Sequence, residues 1–163
     1  IRTTMKELGI PGIRIVPQNR RWKNDESYIP LEQYPQLSIS TVSTHDTDPF
    51  RLWWIKNPKN AKEFCKFSDL KYRPVATIDH LKANLKKIHS SGSLFHINLL
   101  QEYLTLVPGM SWDNPEDDII NVPGTENSFN WTFRYKISVE EILNSKALIN
   151  ILADFITTCP KPS

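Results

Sequence analysis

Three short runs rich in β-branched and apolar residues, Ile13-Arg14-Ile15-Val16, Leu37 to Thr44 and Leu94 to Leu100, lie between stretches with helical signals. That alternation constrains the fold more than any other feature. Strands separated by long, partly helical connections pair in parallel, because an antiparallel hairpin needs only a tight turn and a parallel pair needs a crossover. The fold class is therefore α/β. Three strands cannot close a barrel, and a complete (β/α)₈ barrel takes roughly 250 residues. The 163 residues read as one unit of about three strand–helix pairs belonging to something larger.

Local signals mark the helices. Arg2 to Gly9 reads as the last two turns of a helix, with Gly9 as the left-handed stop and Pro11 forbidding continuation. Asp48-Pro49 supplies a side-chain acceptor followed by a proline whose missing N–H costs nothing, so Asp48 is expected to cap the helix carrying Phe50, Leu52, Trp53 and Trp54. Asn57-Pro58 repeats the signal for a helix through Phe64 and Phe67. Thr77 caps another with Ile78, Leu81, Leu85 and Ile88 at helical spacing, and Gly92 is expected to stop it. Ser138-x-x-Glu141 is a capping box opening a helical region through Phe155. Residues 18–37 and 107–130 read as long loops, and loops of that length are usually functional or mobile.

Charge and composition exclude several classes. Twenty basic against eighteen acidic side chains leave a net charge of +2, too small for a nucleic-acid reader. No apolar run approaches the ~20 residues that cross a bilayer. Cys65 and Cys159 stand in unrelated contexts, as free thiols of a cytoplasmic protein would. The chain starts Ile1-Arg2 rather than with methionine, which leads us to expect further sequence upstream.

The sharpest chemical feature is Thr44-His45-Asp46, an ionisable pair at the C-terminal end of an expected parallel strand, where α/β enzymes gather their chemistry. The competing reading is loop chemistry that caps the next helix. Asp48 already fills that role, which leaves Asp46 unexplained by it. His80, His89 and His96 sit in helix or strand patterns without partners at ligand spacing, so no metal site is expected. Trp53-Trp54 reads as a buried helix face. Trp22, Trp112 and Trp131 fall in loops among polar neighbours, where aromatic rings can serve as platforms for sugars or protein partners. The lysine-rich stretch from Lys56 to Lys71 reads as a solvated helix face.

Leu8-Gly9-Ile10-Pro11-Gly12-Ile13-Arg14, then Ser43-Thr44-His45-Asp46 with Trp53-Trp54, then Asn121-x-Pro123-Gly124-Thr125 with Asn130-Trp131-x-x-Arg134, occur in that order. In this the chain resembles the C-terminal portion of 4-α-glucanotransferases of the amylomaltase (disproportionating enzyme) family, through nearly its whole length. The resemblance implies the C-terminal part of a (β/α)₈ barrel, residues 1–163 forming a truncated piece of it. It also implies retaining transfer of α-1,4-glucan segments to a glucose or maltodextrin acceptor through a covalent intermediate. The family's nucleophile lies in an Arg-x-Asp motif and its acid/base in an Ala-Glu-Asp motif. Neither motif is present, and Glu7 is not a match, so the piece alone is expected to be inactive. Asp46 matches the family's third carboxylate, which grips the sugar at the cleavage point as oxocarbenium character develops. His45, Asn121, Gly124, Thr125 and Trp22 are expected to bind substrate. The resemblance calls for an α-1,4-glucan or maltooligosaccharide as partner, with the rest of the barrel supplied by the upstream chain, and for no cofactor, metal, nucleic acid or membrane.

Three departures stand out. Gln18-Asn19-Arg20-Arg21-Trp22 replaces the usual aromatic and acidic residues, Ile119-Ile120 replaces an arginine, and Gln101-Glu102 replaces a Gln-Asp pair. The rival reading is a non-catalytic carbohydrate-binding or protein-interaction module that uses loop tryptophans.

Overall fold

The computed structural model describes residues 2–21 and 26–158. Helix α1 (Arg2–Glu7) ends through Gly9 at φ +66° and leads into strand β1 (Gly12–Ile15). Strand β2 (Ser38–Thr41) follows after two 3₁₀ turns, Val16–Gln18 and Leu31–Gln33. Helices α2 (Phe50–Lys56), α3 (Pro58–Ser68) and α4 (Ile78–His89) come next, then strand β3 (Phe95–His96) and helix α5 (Leu100–Leu104). A 3₁₀ turn at Pro115–Asp118 precedes helices α6 (Val139–Asn144) and α7 (Lys146–Ile156). The strands form one sheet in the order β1-β2-β3, parallel throughout, with Ile13 opposite Ile39 and Ser40 opposite His96. All three strands therefore end at the same edge of the sheet.

The core forms where α2, α3 and α4 meet. Phe50, Trp54, Ala61 and Phe64 are essentially inaccessible, and Leu85 and Ile88 close the cluster from α4. Trp54 donates its indole N–H to the Arg73 carbonyl at 2.9 Å, so its one polar atom is satisfied in the interior. Phe155 seats α7 on this core, and Leu104, Met110 and Leu148 make a smaller second cluster. The lysines of α3 face solvent, as their pattern required. The sheet leaves apolar side chains in the open: Ile13 on β1, Phe95 on β3, and Leu94 and Ile97 beside it.

Capping decides several boundaries. The Thr77 hydroxyl accepts from the His80 N–H while the His80 ring receives the Thr77 N–H, closing a capping box at α4. Ser138 and Glu141 do the same at α6. The helical region expected through Phe155 consists of two helices divided at Ser145, whose hydroxyl caps α7 by accepting from Leu148 N–H.

Three sequence expectations are corrected. Asp48 does not cap α2: its carboxylate pairs with Lys56 at 2.9 Å, and the Phe50 N–H instead donates to Glu102 Oε1 at 2.9 Å. Gly92 does not stop α4 by a left-handed turn, since Ser90 is already its C-cap. Its role is close approach, because a Cβ there would lie 2.7 Å from the Tyr34 carbonyl oxygen. The third strand is only Phe95–His96, because Asn98 leaves the ladder and turns its amide oxygen to the Val42 N–H at 2.9 Å.

Candidate functional site

The loop after β2 opens at the C-terminal edge of the sheet and carries His45 and Asp46, each with half of its side chain exposed. Their side chains approach to 3.3 Å, His45 Nε2 to Asp46 Oδ2. The other carboxylate oxygen, Oδ1, accepts from Asn121 Nδ2 at 2.7 Å, which joins two loops far apart in sequence. Trp131 closes the far side, with its ring centroid 5.1 Å from that of His45. Trp131 is 62% exposed and has φ +65°, a conformation that a bulky side chain rarely adopts and that clusters at functional sites. The Trp131 backbone N–H donates to the Ile120 carbonyl at 2.8 Å, which ties its main chain to the stretch that leads into Asn121.

His45, Asp46 and Asn121 are thus brought together, and Trp131 joins them as an aromatic wall. Gly124 and Thr125 shape the neighbouring loop instead. Gly124 has φ +76°, and the Thr125 hydroxyl donates to the Val122 carbonyl at 2.7 Å while accepting from Asn127 and Asn130 side chains. Asn130 Oδ1 accepts from the Val122 N–H at 3.0 Å and completes the brace. Trp22 lies outside the described residues, as does Cys159. Trp112 is committed to structure, donating its indole N–H to the Arg134 carbonyl at 2.9 Å. His80 caps α4, His89 meets the Tyr103 hydroxyl at 3.0 Å, and His96 meets the Ser40 hydroxyl at 2.7 Å. Among the described residues no three His, Cys, Asp or Glu side chains converge as a metal site would need.

Sequence reasoning noted Gln101-Glu102 only as a departure from the family's Gln-Asp pair and did not foresee that Glu102 is buried against the loop carrying Asp46. The signal was a pair of polar residues, Gln101-Glu102, inside the apolar run Leu99 to Leu104. Glu102 is 2% exposed and receives hydrogen bonds from the Ser43 hydroxyl and the Phe50 N–H on one oxygen. Burial pushes its carboxyl up to about 7 from the ordinary 4.5, against the pull of those two donors. Burial, helped by His96, pushes His89 down to about 4 from 6.5.

These two shifts oppose each other on acidification. From pH 7 to 4.5 folded Glu102 binds a proton that the unfolded chain lacks, so stability rises as pH falls. From pH 6.5 to 4 unfolded His89 takes a proton that the folded protein refuses, so stability falls. The raised carboxyl of Asp118 adds to the first effect, and the lowered His96 to the second. Glu102→Gln removes the first effect alone. The stability of the parent minus that of the variant is therefore expected to rise as pH drops from 7 to 4.5, by up to about 1.4 kcal/mol per pH unit. Melts across that range test it, and a gap independent of pH would contradict a raised Glu102.

A parallel sheet whose strand-following loops converge on an exposed carboxylate is the layout of α/β proteins that gather their chemistry at the strands' C-terminal ends. The chain belongs to the 4-alpha-glucanotransferase family, whose model matches residues 1–139. The 4-alpha-glucanotransferase of Chlamydia pneumoniae is 40% identical over 157 residues, covering 96% of this chain and 30% of that protein. That of Chlamydia caviae is also 40% identical over 157 residues, with the same coverage. The chain thus spans about 30% of the length of these relatives. Among solved structures, amylomaltase from Streptococcus agalactiae in complex with acarbose aligns with TM-score 0.69 and 19% identity, over 96% of this chain and 28% of that one. Amylomaltase from Corynebacterium glutamicum aligns with TM-score 0.60 and 16% identity, over 95% and 26%. These two likenesses are of fold. Among the described residues no helix is long and apolar enough to cross a membrane.

Proposed function

We propose that this chain supplies the sugar-gripping side of a retaining 4-α-glucanotransferase and forms the C-terminal part of its (β/α)₈ barrel. The observation that carries the reading is Asp46: an exposed carboxylate at the sheet's C-terminal edge, held by Asn121 at 2.7 Å and flanked by His45 and Trp131. Neither Asp46 nor His45 caps α2 or belongs to the buried core. In the reading offered here, Asp46 accepts hydrogen bonds from hydroxyls of the glucosyl unit at the cleavage point. Those bonds strengthen as the ring flattens toward the oxocarbenium-like transition state. His45 binds the same unit, Asn121 aims the carboxylate, and Trp131 offers its ring to an apolar sugar face. Gly124 and Thr125 keep the 121–131 loop in the shape this requires.

The nucleophile and the acid/base come from the rest of the full-length protein, whose remaining barrel covers Ile13, Phe95 and Ile97. The substrate is an α-1,4-glucan or maltooligosaccharide, and the acarbose complex of a structural neighbour is in keeping with that chemistry.

Incubation of the full-length protein with maltotriose tests the reading. Glucose plus a ladder of longer maltodextrins on thin-layer chromatography is expected. Binding of maltodextrins without products would replace the transferase by a carbohydrate-binding module.

A further inference from the structure

We propose that Glu102, with Gln101 beside it, is the positioning residue of the Asp46 site: one short buried helix, α5, holds both loops whose meeting aims the carboxylate. Glu102 touches neither Asp46 nor His45. Its Oε1 takes the Ser43 hydroxyl at the start of their loop and the Phe50 N–H at its end. Between those anchors the loop is tied internally by Thr44 and Thr47, with the Thr44 N–H donating to Thr47 Oγ1 at 2.9 Å and the Thr47 N–H donating to the Thr44 carbonyl at 3.1 Å. A single oxygen therefore sets the span that presents Asp46.

Gln101 serves the partner loop. Its Nε2 donates to the Asp118 carbonyl at 3.1 Å. The Asp118 carboxylate in turn accepts from Arg51 Nε at 3.0 Å and Nη2 at 2.6 Å, and Arg51 also donates to the Trp112 carbonyl at 2.5 Å. Asp118 runs through Ile119 and Ile120 to Asn121, which donates to Asp46. Arg51 follows Phe50 directly, so the same end of the first loop is bonded to both α5 and the second loop. Neighbouring side chains of α5 thus anchor the two partners of the Asp46–Asn121 bond.

The energetics favour a positional role over a stabilising one. Glu102 is buried with no ion-pair partner within 4.0 Å among the described residues, and a buried carboxylate costs stability that an apolar side chain would not. What an apolar side chain could not do is accept from two donors at once. The demands of the site are of that kind, since a misplacement of about 1 Å in a positioned group can cost on the order of 10²-fold in rate.

The kinetic half of the test rests on the transferase reading, and the exchange half does not. In the full-length protein Glu102→Ala is expected to lower kcat for maltotriose disproportionation by roughly 10²-fold with little change in KM. Glu102→Gln keeps an acceptor oxygen and is expected to recover most of that loss. Ser43→Ala, which removes one anchor and leaves the core intact, gives a fall between the two and serves where Glu102→Ala folds poorly. Amide exchange at 44–50 is expected to quicken in Ser43→Ala and Glu102→Ala, while α4 stays protected. Unchanged exchange in the loop, or a Glu102→Gln variant as impaired as Glu102→Ala, would overturn the proposal. A parent protein with no disproportionation at all would instead remove the transferase reading, and the exchange measurement would still decide the clamp.

Discussion

Asp46→Asn in the full-length protein is expected to lower kcat and kcat/KM together by about 10²-fold or more, the scale of losing one preorganised transition-state contact. The structure sharpens the argument, because the first N–H of α2 is served by Glu102 and the Asp48 carboxylate by Lys56. Asp46 is therefore free of any capping duty, and its carboxylate turns to Asn121 and His45. Asparagine preserves the shape and an acceptor oxygen for Asn121 but removes the negative charge. A charge matters most where positive character develops, so the transition state suffers more than the bound ground state. His45→Ala is expected to be milder, since it would remove the proposed sugar contact without the charge. The thermal midpoint of each variant should stay within a few degrees of the parent, because both side chains are half exposed. Near-normal turnover in Asp46→Asn would remove Asp46 from the site.

Trp54→Ala is expected to cost about 3–5 kcal/mol, a large share of the ~5–15 kcal/mol that holds a typical domain together. The side chain is wholly inaccessible and its ring meets Phe50, Tyr72 and His80. Removing it opens a cavity between α2 and α4 and leaves the Arg73 carbonyl without its indole donor. Denaturant melts should show either a much lower midpoint or no folded baseline. Trp54→Phe, which keeps an aromatic ring but not the N–H, should retain a cooperative transition at a reduced midpoint. A midpoint for Trp54→Ala close to the parent's would mean that the core lies elsewhere.

Much of the fold was legible before any coordinates. The Thr77 cap, the Ser138 capping box, the Gly9 stop and the burial of Trp53 and Trp54 all appear where the residue pattern placed them. The parallel order of the strands followed from the length of their connections. The site was legible in part. His45 and Asp46 stood out as an ionisable pair at a strand end, Asp46 the more so because the capping reading did not account for it, and the substrate role of Asn121 came from the family resemblance. Trp131 was visible as a loop aromatic, but nothing in the sequence put its ring on His45.

The division has a physical basis. A cap or a left-handed stop closes its hydrogen bonds within one turn, so a few neighbouring residues determine it, and the amino-acid sequence by itself determined those features here. The amphipathic faces of α3 and α4 were determined in the same way, by periodic spacing along one element. The tertiary structure alone decided which distant groups meet. Asp48 is a sound local cap, yet Lys56 took its carboxylate and Glu102 took over the Phe50 N–H. Asn98 left the β3 run to bond Val42, and Asn121 reached Asp46 from another loop. Those outcomes depend on which polar groups packing drives out of water together. A buried donor must take the acceptor that arrives beside it, whatever its sequence neighbours offer.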